Sequence, residues 1–374
     1  MVETIAIGAL TACACAVLGV FLVLRRMSLL SDAIAHSMLF GIVVTFFFVR
    51  DLSSPVLIVG AAATGLLTVS LVELLQRTRL LREDAAIGLV FPALFSAGVA
   101  IISLFFRDVD LDTNCVLMGN IEFAKFRRWI VFAQPGVLGS GYDLGPKALW
   151  VMGTILILNL AFIITFYKEL KLGTFDAGLA ATFGFVPGLL HYGLMTLVSV
   201  TAVGAFQSVG AILVIALMIA PPAAAYLLTD RLSRMLWLSA ALGVAGAALG
   251  YALSLWWSAS IAGSMATAQG ILFVFVWLVA PERGLVAALF RRARQRWDFA
   301  QTMLAIHVFN HEGTPEAEQE NRVENLPEHL RWQPNYIDQV VRRAERRGLI
   351  RCEDGLLKLN QPGRQLVRDV LVTS

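Results

Sequence analysis

Nine stretches of about 20 predominantly apolar residues occupy the first 280 positions of this chain, near 4–24, 28–49, 55–75, 84–106, 147–167, 187–207, 209–229, 235–257 and 262–280. A run of that length crosses a bilayer as a helix, and a lipid-embedded backbone must satisfy its own hydrogen bonds. The charges agree: 26 of the 57 Asp, Glu, Lys and Arg residues are crowded into positions 291–374. That split excludes a single soluble enzyme domain and a disordered chain. The expected fold is an all-α polytopic membrane protein of eight or nine spans with a small soluble α+β domain at its C-terminal end. Gln207, Ser208 and Gly210 interrupt 187–229, which reads either as two spans or as one broken helix.

Cys13, Cys15, Cys115 and Cys352 form no Cys-x-x-Cys pair, so neither a zinc finger nor a redox motif is expected. Glu3 precedes the first apolar run and Arg25–Arg26 follow it, the wrong layout for a cleaved signal peptide. Arg25, Arg26, Arg77, Arg79, Arg82, Lys168, Lys171, Arg231, Arg234 and Arg283 fall on one side of the implied topology. The positive-inside rule makes that side cytoplasmic, with the N-terminus outside and the C-terminal domain inside. Lys125, Arg127 and Arg128 oppose this from a long outer loop, where charge counts for less. That loop, 107–146, carries Asp108, Asp110 and Asp112, then Trp129, Pro135, Gly136, Gly139, Gly141 and Gly145. It reads either as a solvated acidic loop or as a docking surface for an external partner.

Ionisable groups inside a span are costly and mark function by default. The second span holds two, Asp32 and His36, four residues apart and so on one helix face. A carboxylate plus an imidazole suits Mn²⁺, Fe²⁺ or Zn²⁺, and the lack of thiolate disfavours Cu⁺. Two other readings stand beside this one: Asp32 caps the helix or pairs with Arg26, and His36 donates to a backbone carbonyl. Depth is awkward too, because a straight hairpin leaves Asp32 near the interface unless residues 25–31 bend inward or unwind. Farther on, Leu172 through Gly184 is rich in small residues between two spans. It reads as a tight connection, with Asp176 suited to a helix N-terminus.

The run Arg26-Met27-Ser28-Leu29-Leu30-Ser31-Asp32-Ala33-Ile34-Ala35-His36 resembles the signature of membrane permease subunits of bacterial ABC importers for manganese, zinc and iron. The resemblance continues through 83–88, 117–120, 176–184, 210–214 and 220–224 and covers roughly 1–285. It implies an ATP-driven importer subunit of the bacterial inner membrane, in which Asp32 and His36 coordinate the transported ion and no intrinsic cofactor is held. It also implies that Phe175, Asp176, Ala177, Ala180, Ala181 and Gly184 belong to a helix docking on a separate ATP-binding subunit, consistent with the lack of a Gly-x-x-x-x-Gly-Lys-Ser/Thr loop here. The further partners implied are a second permease subunit, identical or related, and an extracytoplasmic metal-binding protein. Three features depart from the family pattern: the enlarged stretch between Asn120 and Lys147, the last span's opening 261–270, and the C-terminal extension.

The extension is expected to divide into a basic, lipid-facing linker, 286–297, and a domain, 298–374. Phe299, Met303 and Ile306 recur at helical spacing, beside Trp297, Leu304 and Val308. A polar linker, 312–324, precedes a short helix and a helix opened by Pro334 with an apolar face of Ile337, Val340, Val341 and Ala344. Glu353-Asp354-Gly355 then marks a hairpin, and a helix closes the chain. This order resembles a winged-helix domain of the metal-dependent repressor type. Nucleic-acid binding through Arg342, Arg343, Arg346 and Arg347 is disfavoured by the 14 basic and 12 acidic residues of 291–374. His307 and His311, four apart, read as surface groups or as a metal-sensing pair. The alternative function is a membrane-tethered metal-responsive regulator that uses this domain.

Overall fold

The computed structural model describes residues 2–50, 54, 56–105, 121–124, 126–131 and 142–373. These fall into two compact units, Met1–Gly284 and Leu285–Ser374. Asp108, Asp110, Asp112, Cys115, the 117–120 motif, Pro135, Gly136, Gly139 and Gly141 lie outside the described residues.

The first unit contains α1 (Val2–Leu24), α2 (Ser28–Val49), α3 (Val56–Arg77), α4 (Glu83–Phe105), a short α5 (Ile121–Ala124) and a two-stranded antiparallel pair, β1 (Arg128–Val131) with β2 (Tyr142–Pro146). Then come α6 (Lys147–Thr165), α7 (Tyr167–Phe175), α8 (Ala177–Thr182), α9 (Pro187–Val209), α10 (Ala211–Leu228), α11 (Leu232–Trp257) and α12 (Ile261–Val279). Among the described residues nine helices are long and apolar enough to cross a membrane: α1–α4, α6 and α9–α12. The chain is a multi-pass membrane protein. The interruption at 207–210 resolves as two helices joined by Gly210 alone, at φ +86° and ψ 163°, a region essentially closed to residues with a Cβ. The two helices leave for different neighbours. α9 packs on α3, α1, α2 and α6, and α10 on α1, α12 and α11.

Helix α1 is the central post, with 72% of its apolar window buried. It lies against α6, α9, α10 and α11. Small residues set the close contacts: a Cβ on Gly19 would sit 2.1 Å from the Met218 carbonyl oxygen of α10. Without a hydrophobic drive between helices in lipid, such backbone approach is the main source of packing. Buried polar groups are bonded across helices, as in Asn159 Nδ2 donating to Thr201 Oγ1 at 2.9 Å and the Ser37–Thr68 hydroxyl pair at 2.6 Å.

The second unit contains α13 (Leu285–His311), α14 (Ala317–Glu320), α15 (Leu326–Leu330), α16 (Pro334–Arg346), a hairpin of β3 (Ile350–Glu353) and β4 (Leu356–Leu359), and α17 (Gln361–Thr373). The expected helices and hairpin occur in order, with one short helix, α14, added within the expected linker 312–324. Residues 286–297 form no separate linker; they are the first turns of the unbroken helix α13. Residues 312–324 are likewise folded: Asn321 is buried, and Arg322 bridges to Leu356.

The core face of α16 is the expected Ile337, Val340, Val341 and Ala344. On α13 the face is rotated. Ala300, Leu304, Ala305 and Val308 are buried, whereas Phe299 is 66% and Met303 37% exposed. Both sets satisfy a helical period, and packing against α16, α17 and β4 selects between them.

Candidate metal path and docking surface

A tight turn sets the position of the Asp32–His36 pair. After Leu24 the chain reverses within Arg25, Arg26 and Met27, with Arg26 at φ +62° and the Met27 amide donating back to the Leu22 carbonyl. Helix α2 then runs unbroken from Ser28, so the unwinding considered for 25–31 is confined to this turn. His36 lies eight residues beyond Ser28, about 12 Å along the axis at 1.5 Å per residue. Asp32 lies only four residues beyond Ser28, about 6 Å along the axis, and so stays nearer the start of the helix than His36.

Within this helix His36 Nε2 and Asp32 Oδ1 are 3.2 Å apart, with side chains 31% and 37% exposed. No side chain caps the start of α2, and among the described residues Asp32 pairs with His36 rather than with Arg26. The imidazole faces Phe91 and Phe95 of α4, with ring centroids 5.9 and 6.3 Å away. The result is a half-open pair of nitrogen and oxygen donors against an aromatic wall. The two groups can bind one cation together, while the ring contacts limit the rotation of His36.

A second ionisable cluster escaped the sequence reading. Arg25 donates from Nη1 to His191 Nδ1 at 3.1 Å and from Nε to Thr174 Oγ1 at 3.3 Å. A guanidinium only donates, so Nδ1 accepts and the ring proton sits on Nε2. His191 Nε2 lies 2.7 Å from Glu73 Oε1, and the Tyr192 hydroxyl donates to Glu73 Oε2 at 2.5 Å. The cluster ties the ends of α1, α3, α7 and α9 together. Glu73 and His191 are ionisable residues within apolar spans, and that was the available signal.

The segment expected to couple to an ATP-binding subunit falls on helices α7 and α8. Asp176 caps α8, its Oδ1 accepting from the Leu179 amide at 2.8 Å. Phe175, Leu179, Phe183 and Val186 are 60%, 45%, 67% and 62% exposed, an apolar surface concentrated at one connection. Ala181 and Gly184 share the exposed surface. Ala180 does not: it is fully buried within the chain's own packing. Its placement on the docking face is therefore corrected, because α8 turns that methyl toward the protein. Nothing is described of the Ala177 side chain.

The ABC 3 transport family matches residues 1–129 and 135–280. The chain belongs to this family. It is 45% identical over 366 residues to the zinc transport system membrane protein TroD of Treponema pallidum, covering 98% of this chain and 97% of that one. It is 43% identical over 287 residues to the manganese transport system membrane protein MntD of Bacillus subtilis, covering 77% of this chain and 94% of the relative. The fold is similar to a solved structure, PsaBC from Streptococcus pneumoniae in complex with Fab, with TM-score 0.61, 26% identity and coverage of 75% of this chain and 92% of that one. As a member of this family the chain is a membrane-spanning transport protein. The match to TroD includes the C-terminal unit; the family match stops before it.

Proposed function

We propose that this chain is the permease subunit of an ATP-driven importer of a divalent transition metal, with Asp32 and His36 as the ligands that carry the ion through the membrane. The observation that carries this reading is the 3.2 Å Asp32–His36 pair on one face of an otherwise apolar span. Zinc and manganese, the metals in the names of the two relatives, both accept a carboxylate and an imidazole. One chain offers two donors where such ions take four or more. A second permease copy, or a related chain, completes the set across a shared path.

The exposed surface formed by Phe175, Leu179, Phe183 and Val186, with Ala181 and Gly184, docks on the separate ATP-binding subunit, since this sequence has no phosphate loop of its own. The nine candidate spans among the described residues, an odd number, put the two chain ends on opposite sides in this reading. The positive-inside count then puts the C-terminal unit in the cytoplasm and the N-terminus outside, in a bacterial inner membrane. Arg128 pairs with Glu3 at 2.8 Å, which sets β1 beside the N-terminal end of α1, on the side this reading assigns to the outside. An extracytoplasmic metal-binding protein delivers the ion to that side.

The C-terminal unit is read as a winged-helix-like regulatory or assembly module rather than a nucleic-acid reader. Arg343 is stacked over Trp297 at 3.6 Å and Arg347 is paired with Asp298 at 2.6 Å, so two of its four clustered arginines are already engaged.

The test is uptake into liposomes by the permease reconstituted with its ATP-binding subunit, using Mn²⁺, Zn²⁺ and Fe²⁺ in competition. Asp32→Ala and His36→Ala are each expected to abolish uptake while protein level and ATPase assembly persist. Normal accumulation by both variants would refute the assignment.

A further inference from the structure

In the second unit, α13 presents His307 and His311 one turn apart, with ring centroids 4.8 Å from each other. Facing them is Glu320 at the end of α14. One potential donor atom from each of His307, His311 and Glu320 lies within 4.8 Å of the others. A third imidazole stands beside this group: His329 Nδ1 is 3.0 Å from Glu320 Oε2, and the His329 ring centroid is 5.9 Å from that of His307. Three helices that are separate in sequence thus bring three imidazoles and one carboxylate to a single place.

The surroundings hold these groups in position. His307 Nε2 is 3.2 Å from the Glu320 backbone oxygen. A carbonyl only accepts, so this contact fixes the neutral tautomer with its lone pair on Nδ1, the kind of support that metal-bound imidazoles receive from outer partners. Burial, with His311 and His329 nearby, lowers the proton affinity of His307 below that of an ordinary imidazole. Glu320 is anchored through its neighbour: Asn321 is buried, and its carbonyl accepts from the Leu357 amide of β4 at 3.0 Å. Val308, next to His307, is fully buried in the core of this unit. Three adjacent imidazoles and one carboxylate make a good nitrogen and oxygen donor set.

We infer that His307, His311 and Glu320, with His329 alongside, form a second metal site in the C-terminal unit, for a divalent transition ion and separate from the Asp32–His36 pair. The donors are nitrogen and oxygen without thiolate, which fits Zn²⁺, Co²⁺, Fe²⁺ or Mn²⁺ and disfavours Mg²⁺ and Ca²⁺, which prefer all-oxygen shells. Zinc bonds of about 2.0–2.1 Å in a tetrahedron put donors roughly 3.3 Å apart. Side-chain rotations that move donor atoms by about 1 Å close the present spacing to that value. The site bridges α13, α14 and α15, so an ion there joins the long helix to the segment 317–330.

The experiment uses the full-length chain in detergent with Asp32→Ala and His36→Ala in place, so that ions on the proposed transport path do not contribute. The protein is titrated with Co²⁺, read by its visible ligand-field absorption, and then with Zn²⁺ as competitor. One saturable equivalent per chain is expected, displaced by Zn²⁺ and weakened at least about tenfold by Glu320→Gln or His307→Gln. His311→Gln should also reduce the absorption. Thermal unfolding without metal checks that each variant is folded; Glu320→Gln, isosteric and only partly buried, keeps the test valid should a histidine variant unfold. Absence of saturable binding in the parent protein, or binding unchanged by Glu320→Gln, would overturn the site. Neither result bears on uptake through Asp32 and His36, which is measured separately.

Discussion

Replacing Glu73 with Gln should destabilise the membrane unit more than any neutralisation at the Asp32–His36 pair. Glu73 is approached by His191 at 2.7 Å and Tyr192 at 2.5 Å, and the His191 ring also takes a hydrogen bond from Arg25. The Glu73 and His191 side chains are 20% and 15% exposed. Removing one partner of a fully buried pair costs about 3–5 kcal/mol, since the remaining polar groups stay desolvated. Partial exposure reduces that figure, and a glutamine can still accept from Tyr192, so about 1–3 kcal/mol is expected. At roughly 2 °C per kcal/mol for a unit of this size, thermal unfolding should fall by about 2–6 °C.

Asp32→Asn is the contrast. Its pair is a third exposed and lies within one helix, where such contacts are worth about 0.3–0.5 kcal/mol, so a shift of roughly 1 °C or less is expected. Both proteins would be purified in one detergent and unfolded under intrinsic fluorescence, together with His191→Gln and the double variant Glu73→Gln/His191→Gln. The double variant should lose less than the two singles combined, because the groups share one contact. Equal shifts for Glu73→Gln and Asp32→Asn, or strict additivity in the cycle, would refute the reasoning.

Ala181→Trp should leave folding intact and reduce ATPase association and transport, because Ala181 is exposed beside Phe183. Ala180→Trp should instead lower the folded yield, because that methyl is fully buried and overpacking costs about 1–3 kcal/mol or more. Pull-down of the ATP-binding subunit alongside size-exclusion chromatography separates the two outcomes. Gly210→Ala should cost about 1–3 kcal/mol through backbone strain at φ +86°, measured as thermal stability against Gly88→Ala, whose new Cβ would meet nothing within 4 Å.

The spans were legible because lipid imposes a length and an apolarity that one-dimensional counting detects, and Gly210 was visible as the break in 187–229. Asp32 and His36 were legible for a similar reason: two ionisable groups one helical turn apart are neighbours whatever the tertiary fold. The Arg25–His191–Glu73 cluster was not. Its members are separated by 48 to 166 positions, and near span ends each looks like an ordinary interfacial charge. The same limit hid Ala180. Adjacent small residues on a short helix are equivalent in composition, and only the packing of α8 decides which one faces outward. On α13 two apolar stripes share one period, so periodicity alone could not choose Leu304 and Val308 over Phe299 and Met303.

Removing the C-terminal unit tests how far it is a module, and the structure moves the place to cut. A chain ending at 297 would stop in the middle of α13 and leave Trp297 without Tyr336, now 5.1 Å away ring to ring, and without the Arg343 guanidinium stacked on it. Leu289 and Phe290, already more than half exposed, would then sit on a frayed helix with no folded unit beyond it. Ending at Gly284 removes the second compact unit whole and no candidate span. The family match ends at 280, and the 287 residues aligned with MntD make up 94% of that relative. The shortened chain should therefore insert and transport. If His307, His311 and Glu320 hold metal inside the cell, what it should lose is dependence on metal already there. Uptake would be compared between full-length and shortened chains at low and high preloaded metal. A smaller difference between the two loadings in the shortened chain is the expected result. Loss of insertion would make the unit structural, and identical uptake at both loadings would remove its regulatory role.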